Sequence, residues 1–436
     1  MALTSHQSDI RGQILDNLSQ NNRLVLSGSA GVGKTYLMDD LIHGPNGLVQ
    51  LLGPYGSIYV TAPTHKALQV IRTKVDWNSR IQFKTIHAAL GLNMKINYKT
   101  GKQEITRIER ANYVSPVQSQ NKQAKFIIVD EGSMVGDDLI KFIDEIAPTN
   151  CKVIFVGDNK QLNPVGENDS PIFNQGYPEV ELTEIIRQGE GNPIIDVSRN
   201  LNMLNRIGTI NSKGEGYALT NNYDRIIGEL ARVNGTDEVK YIAWTNKAVD
   251  MVNNAVRNTI YQNPAKVEVG ESIILSSPYG KGRFSTNQEI KIEEIDIVEG
   301  KIANPRFLSP RDTPNELPNL PIRYYWINAQ EGQEPTEALA LRIIHEDSEE
   351  TFNGILSFYR SAGRWAEMYQ MKESCLDYKY NHALTVHRAQ GSTFETTIMN
   401  YSDMCRNNNK KELKRLLYTA VTRSSRLLVV YIPKVG

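Results

Sequence analysis

Hydrophobic and polar positions along the chain fall into two alternating patterns. Short apolar runs at Leu24 to Ser27, Ile58 to Thr61, Phe126 to Val129 and Lys152 to Val156 each stop at a polar or glycine-containing loop, and helix-period segments separate them. One such segment, through Tyr36, Leu37, Leu41 and Ile42, ends at His43-Gly44-Pro45. The alternation returns at Tyr241 to Trp244, Ala383 to Val386 and Leu427 to Tyr431. Strands that take turns with helices predict an α/β chain with parallel sheets, in which ligands gather beyond the carboxyl ends of the strands. Inside the second block the period changes. Ser272 to Leu275, Glu289 to Ile297 and Ala340 to His345 alternate like half-exposed strands around the proline-rich stretch Pro305 to Pro321, which predicts a small β-rich insertion. A second insertion, Leu92 to Gln123, is polar and basic, and its Tyr98-Lys-Thr-Gly-Lys102 reads as a hairpin turn.

The loop after the first apolar run reads GSAGVGKT, residues 28 to 35. Gly28, Gly31 and Gly33 permit a tight turn that aims backbone N–H groups and a helix N-terminus at phosphate oxygens. Lys34 then reaches the β and γ phosphates of ATP, and Thr35 ligates Mg²⁺. The strand-loop-helix setting separates this motif from an ordinary glycine-rich turn. FIIVDEGSM supplies the acidic counterpart, with Asp130 as a second Mg²⁺ partner and Glu131 as the group that orients or deprotonates the attacking water. An Asp-Glu pair alone is more often a solvated turn. Its coupling to the phosphate loop gives it meaning. Gln161, in the polar loop after Val156, is a candidate γ-phosphate sensor through its amide. Arg187 and Arg423 are candidate arginine fingers, although an arginine taken singly is more often a surface or ion-pair residue.

Composition narrows the setting. The 436 residues carry 49 Lys plus Arg and 49 Asp plus Glu, so any nucleic-acid groove must be local. Cys151, Cys375 and Cys405 are the three cysteines and form no CxxC pair, which fits a reduced, cytoplasmic protein. The N-terminus lacks a signal-peptide pattern, and no apolar run is long enough to span a bilayer, so no membrane is expected.

The ordered set GSAGVGKT, APTHKA (62 to 67), TIH (85 to 87), VDEGSM (129 to 134), GDNKQLNPV (157 to 165), LTEIIRQ (182 to 188), WTNKAVDMVN (244 to 253), TVHRAQGSTF (385 to 394) and YTAVTRS (418 to 424) resembles superfamily 1B DNA helicases of the RecD/Dda-like branch. The likeness runs over nearly the whole chain. It implies two RecA-like domains, the first from 1–91 and 124–185 with hairpin insertion 92–123, the second from 186–271 and 377–436 with β-rich insertion 272–376. By resemblance Gln7 contacts adenine and Gly391 lies between nucleotide and DNA. Thr64, His65, Thr85 and His87 in the first domain, and Asn246, Thr385 and His387 in the second, hold single-stranded DNA, while Trp365 supports a base. For each histidine a buried structural role remains open. Tyr98 is the aromatic nearest to the hairpin tip, where relatives use phenylalanine to part the duplex. Gly132 and Asn163 depart from the family pattern, and residues 300–350 match loosely.

The activity implied is ATP-dependent 5'-3' translocation on single-stranded DNA with unwinding of tailed or forked duplex, in DNA replication or recombination of the phage type. Implied partners are a single-strand DNA-binding protein and replisome components, with activity as a monomer. A translocase that strips bound proteins with little unwinding is the alternative. A small-molecule kinase or GTPase would leave TVHRAQGS and YTAVTRS unexplained, and a non-enzymatic DNA-binding module would leave Lys34, Asp130, Glu131 and Gln161 without a role.

Overall fold

The computed structural model describes residues 3–433 except 97–102, 110–112, 121, 165, 185–191, 205–207, 235, 263, 278, 280–283, 285, 302–320 and 332–338; at 94–96, 103, 301, 329–331 and 339–340 it describes the backbone. In chain order the first strands are β1 (Arg23–Gly28), β2 (Gly56–Ala62), β3 (Ile81–Thr85), the paired hairpin strands β4 (Leu92–Ile96) and β5 (Gln103–Arg107), then β6 (Gln123–Val129), β7 (Lys152–Gly157) and β8 (Glu179–Leu182). The hairpin apart, they form a six-stranded sheet ordered β3-β2-β6-β7-β1-β8, parallel at every junction. Side-chain alternation divides its core between two faces. Leu24, Leu26, Ile58, Val60, Ile128 and Ile154 face one apolar cluster; Val25, Tyr59, Ile127, Val129, Val153 and Phe155 face the other. Burial on both faces is what makes these strands read as continuous apolar runs.

The next strands are β9 (Thr209–Ile210), β10 (Gly216–Thr220) and β11 (Val239–Ala243). The insertion follows with β12 (Ser272–Leu275), β13 (Glu289–Lys301), β14 (Pro321–Glu331), β15 (Leu339–Ile344) and β16 (Tyr378–Tyr380), before β17 (Ala383–Thr385), β18 (Phe394–Asn400) and β19 (Ser424–Tyr431). A second six-stranded sheet runs β17-β11-β18-β19-β10-β9, parallel except at its edge strand β9. The fold class is therefore α/β with two parallel sheets, and β12 to β16 make a five-stranded antiparallel sheet ordered β15-β14-β13-β12-β16.

Contacts divide the chain into two compact units. One, Met1–Asn93, Ile105–Val252 and Ala383–Gly436, holds both parallel sheets; the other, Met94–Glu104 and Asn253–His382, holds the antiparallel sheet. In the second unit Ile273, Leu275, Ile290, Ile292, Ile327 and Leu341 build the sheet's core. Helices Glu346–Ser361 and Trp365–Glu373 bury Phe352, Ile355, Met368 and Met371 beside it. No helix among the described residues is long and apolar enough to cross a membrane.

Candidate active site

At the end of β1 the chain turns through Gly31 and Gly33, with φ of 86° and 84°. These are left-handed values that an L side chain would strain. A Cβ on Gly28 would lie 2.6 Å from the carbonyl oxygen of Leu182, so only glycine fits beside the neighbouring parallel strand β8. Gly33 caps helix Lys34–His43, and the loop sits over that helix's N-terminus. Lys34 Nζ donates to the carbonyls of Gly28 at 2.6 Å and Ser29 at 3.0 Å, while Thr35 follows in the first turn.

Parallel register brings the acidic pair to the same end of the sheet. Val129 pairs with Phe155 and Val156 with Leu26, so Asp130 leaves β6 level with Leu26, just before the phosphate loop. Asp130 N–H donates to Thr61 O at 2.9 Å. Burial and the neighbouring Glu131 charge push the Asp130 carboxyl up to about 6, against the pull of Lys34. A dication would reverse both costs, so Asp130 and Thr35 fit a magnesium pair. Glu131 itself has φ 51°. For a non-glycine residue that conformation costs on the order of 1 kcal/mol or more, and it persists only where the surroundings impose it. Here a following turn, Met134 N–H to Glu131 O at 2.9 Å, fixes it. The departure at Gly132 has a local cause, since a Cβ there would meet Ile172 Cδ1 at 3.1 Å and Val156 O at 3.3 Å.

Gln161 is 4% exposed, and its Oε1 is buried with no hydrogen-bond partner among the described residues. Its loop is bonded to the second parallel sheet's side of the unit. Arg415 Nη1 donates to the carbonyls of Asn159 and Gln161, both at 2.8 Å; Leu162 N–H donates to Thr419 Oγ1 at 3.1 Å, and Gln390 Nε2 to Leu162 O at 3.3 Å. Sequence reasoning missed Arg415, Thr419 and Gln390, because no local signal announces a contact made across more than two hundred residues. A small cleft lies beside this junction, with Ala30 and Gly31 on one side and Thr393, Thr422 and Ser424 on the other.

Gln7 has a further structural part. It closes a capping box with Thr4, whose N–H donates to Gln7 Oε1 at 3.2 Å, and its own N–H donates to Thr4 Oγ1 at 3.2 Å. Its Nε2 is buried without a partner among the described residues, which leaves one donor for a ligand. Arg423 is 4% exposed and donates to the carbonyls of Thr419 at 3.1 Å and Ser392 at 3.0 Å. The guanidinium thus rests on its own domain's backbone. Arg187 lies outside the described residues.

The nucleic-acid candidates occupy four strand ends built alike. Thr64, Thr85 and Thr385 each cap a short helix, accepting from the N–H groups of Ala67 at 3.2 Å, Ala88 at 3.3 Å and Arg388 at 3.4 Å. The fourth cap is Thr245, which accepts from Ala248 N–H at 3.3 Å; sequence reasoning named the adjacent Asn246, an exposed residue that begins the helix. Asp403, also missed, accepts from Trp244 N–H at 2.9 Å and from Thr245 N–H at 2.8 Å and Oγ1 at 2.8 Å. His65, His87 and His387 are half-buried beside these caps. Burial lowers the pKa of His87, and also that of His387, where Glu412 opposes it. In the second unit Trp365 is 38% exposed at the start of its helix. Tyr98 lies outside the described residues.

Two family models match, an AAA domain over residues 2–214 and a UvrD-like helicase C-terminal domain over 380–431. The ATP-dependent DNA helicase dda of Enterobacteria phage T4 is 26% identical over 447 residues, covering 93% of this chain and 93% of that protein. The chain belongs to the superfamily 1B helicases. The RecD2 DNA helicase of Deinococcus radiodurans is 29% identical over 196 residues, 44% of this helicase chain and 24% of the relative. An uncharacterized protein, R530, of Acanthamoeba polyphaga mimivirus is 24% identical and covers 95% of this chain and 97% of its own. Among solved structures, a Pif1 helicase described in DNA unwinding at forked duplex matches with TM-score 0.53 at 16% identity, over 100% of this chain and 95% of its own. The Bacteroides Pif1 helicase in complex with ADP-AlF3 and single-stranded DNA matches with TM-score 0.51 at 18% identity, over the same shares. At those identities the superfamily 1B helicase shares a fold with Pif1.

Proposed function

We propose that this superfamily 1B helicase hydrolyses ATP to translocate 5' to 3' on single-stranded DNA and to unwind tailed or forked duplex, in replication or recombination of the phage type. The observation that carries this reading is the segment from Thr385 to Gly391. It begins at a strand-end cap of the second sheet, and it ends at Gly391, where φ is 77° and an added Cβ would lie 3.6 Å from Glu131 Cγ and 3.0 Å from Ala67 Cβ. Ala67 belongs to the helix capped by Thr64. Seven residues therefore join the Thr385 cap of one sheet to both the acidic group and the Thr64-capped helix of the other. Strand position and ATP chemistry are coupled through backbone.

In this reading Lys34 exchanges the carbonyls of its loop for phosphate oxygens, and Thr35 and Asp130 hold Mg²⁺. The ion supplies charge neutralisation at the β and γ phosphates when bound. Glu131 orients the attacking water, Gln161 reports the γ-phosphate by donating to it from its amide nitrogen, and Arg187 and Arg423 counter charge on the transferring group. Gln7 reads adenine with its unpartnered Nε2. Thr64, His65, Thr85, His87, Asn246, Thr385 and His387 grip phosphate and sugar without reading sequence; Trp365 stacks a base, and Tyr98 meets the fork.

Strand displacement with 5'-tailed and 3'-tailed duplexes tests the reading. ATP-dependent displacement of the 5'-tailed substrate alone, with turnover stimulated by single strand, is expected. Stimulated turnover without displacement of either substrate would instead identify a protein-stripping translocase. Turnover indifferent to DNA would dispose of the motor altogether.

A further inference from the structure

Tyr418 opens the YTAVTRS segment, and its hydroxyl sits against the phosphate loop. Ala30 N–H donates to the phenol oxygen at 3.2 Å, and that hydroxyl donates to Asp158 Oδ2 at 2.7 Å. Both side chains are buried. Burial, with the Asp158 carboxylate, holds the phenol well above its usual titration range, so it is a neutral O–H that spends its proton on Asp158 and offers Ala30 a lone pair.

An N–H in a phosphate-binding loop has one hydrogen to give. Ala30 lies between Gly28 and Gly31 in the turn whose amides are the anion-binding groups. The phenol oxygen therefore occupies a donor that a phosphate oxygen would use. Tyr418 stands on helix Lys410–Val421, which also bonds the Gln161 loop through Arg415 and Thr419 and leads into Arg423. Resting on the ATPase reading above, we propose that Tyr418 is a positioning residue that competes with nucleotide for the Ala30 amide. ATP affinity is thereby tied to the placement of the second sheet's helix. Loading of ATP frees Tyr418 from the loop, and the same displacement is felt by the Gln161 loop through Asp158 and by Arg423 through the helix.

Tyr418→Phe keeps the ring and removes the hydroxyl. Without DNA, this variant should bind a non-hydrolysable ATP analogue about 2- to 10-fold more tightly than the parent, the range of one ordinary hydrogen bond. Its KM for ATP should fall by a larger factor than kcat changes. Unchanged or weakened analogue binding in a variant with the parent's melting temperature would overturn the proposal. A second measurement is independent of that affinity. In protein labelled with ¹⁵N-alanine, the nucleotide-free Ala30 amide proton should move upfield on Tyr418→Phe and respond to analogue in both proteins. An Ala30 resonance unmoved by the substitution would also overturn it. A parent that binds the analogue but shows no DNA-stimulated turnover would defeat the motor reading instead, and the Ala30 resonance would still decide the role of Tyr418.

Discussion

Lys34 and Glu131 sit in the same site and should fail differently. The lysine rests on two loop carbonyls, so Lys34→Ala removes phosphate stabilisation and should abolish both tight nucleotide binding and turnover. Glu131→Gln keeps the shape in a backbone conformation that the following turn already fixes. It should retain analogue binding while losing about 100-fold or more in turnover, the usual scale for general acid-base assistance; DNA-stimulated turnover near the parent rate would remove Glu131 from the chemistry. His87 gives a pH test. Its folded pKa is depressed by burial, so below the unfolded value of about 6.5 the unfolded chain binds the proton first. Stability from this group is full above that value and is lost as pH falls through the depressed folded pKa. Melting temperatures of the parent should therefore drop more between pH 7.5 and 5.5 than those of His87→Gln, and parallel losses would assign the acid sensitivity elsewhere. At this scale the glycine turn and acidic pair were legible because each is a local pattern. The second duty of Gln7 in the Thr4 capping box was also written locally, as T-x-x-Q, and was overlooked. Tyr418, Arg415 and Asp403 were not legible, since their partners are chosen by tertiary packing.

Strands buried on both faces were readable from sequence, and so were the alternating β12, β13 and β15, whereas short or irregular strands were not. β1, β2, β6 and β7 are continuous apolar runs, whereas β8 is the four-residue Glu179–Leu182, β10 begins at Gly216 with φ 138°, and β14 mixes arginine, tyrosines and tryptophan directly after the proline-rich stretch. In the insertion, β13 runs four residues past the expected Ile297 to Lys301, with Ile297 and Val298 exposed. A half-solvated antiparallel strand needs no apolar end. The β4–β5 hairpin was expected from its turn chemistry, and the pairing of its strands agrees. It is also where translocation and strand separation can be told apart. Opening a base-pair step costs about 1.4 kcal/mol on average, and a wedge need supply only part of that if ATP-driven motion pulls the strand past it. Replacing residues 95–106 by a short glycine-containing turn should leave DNA-stimulated turnover intact and sharply reduce unwinding. Equal unwinding by the shortened and parent proteins, under single-turnover conditions at matched DNA occupancy, would move strand separation to another element.

At the scale of the whole chain, charge is balanced, and this limits how DNA can be held. Acids and bases number 49 each, and the proposed strand-holding groups are threonine hydroxyls, an asparagine amide and imidazoles whose pKa, for His87 and His387, burial lowers. Nearby Lys66 is already paired with Asp237 at 3.0 Å and lies over the Phe394 ring at 5.1 Å. The proposed grips, Thr64 and Thr85 on one sheet and Asn246 and Thr385 on the other, are thus neutral groups. Neutral groups release few counterions, whereas each phosphate neutralised on a single strand adds about −0.7 to the slope of log affinity against log salt. Equilibrium binding of an unlabelled-sequence oligonucleotide from low to physiological salt should therefore give a shallow slope of about −1 to −3, equivalent to a few phosphates. The slope should be the same for different base compositions, because the grips read backbone and not base edges. Removing one grip by Thr85→Val should then weaken binding without changing the slope, since a hydroxyl carries no charge. A slope steeper than about −5 in the parent, or one that flattens in Thr85→Val, would mean that cations hold the strand and that the threonine caps only support the helices they begin.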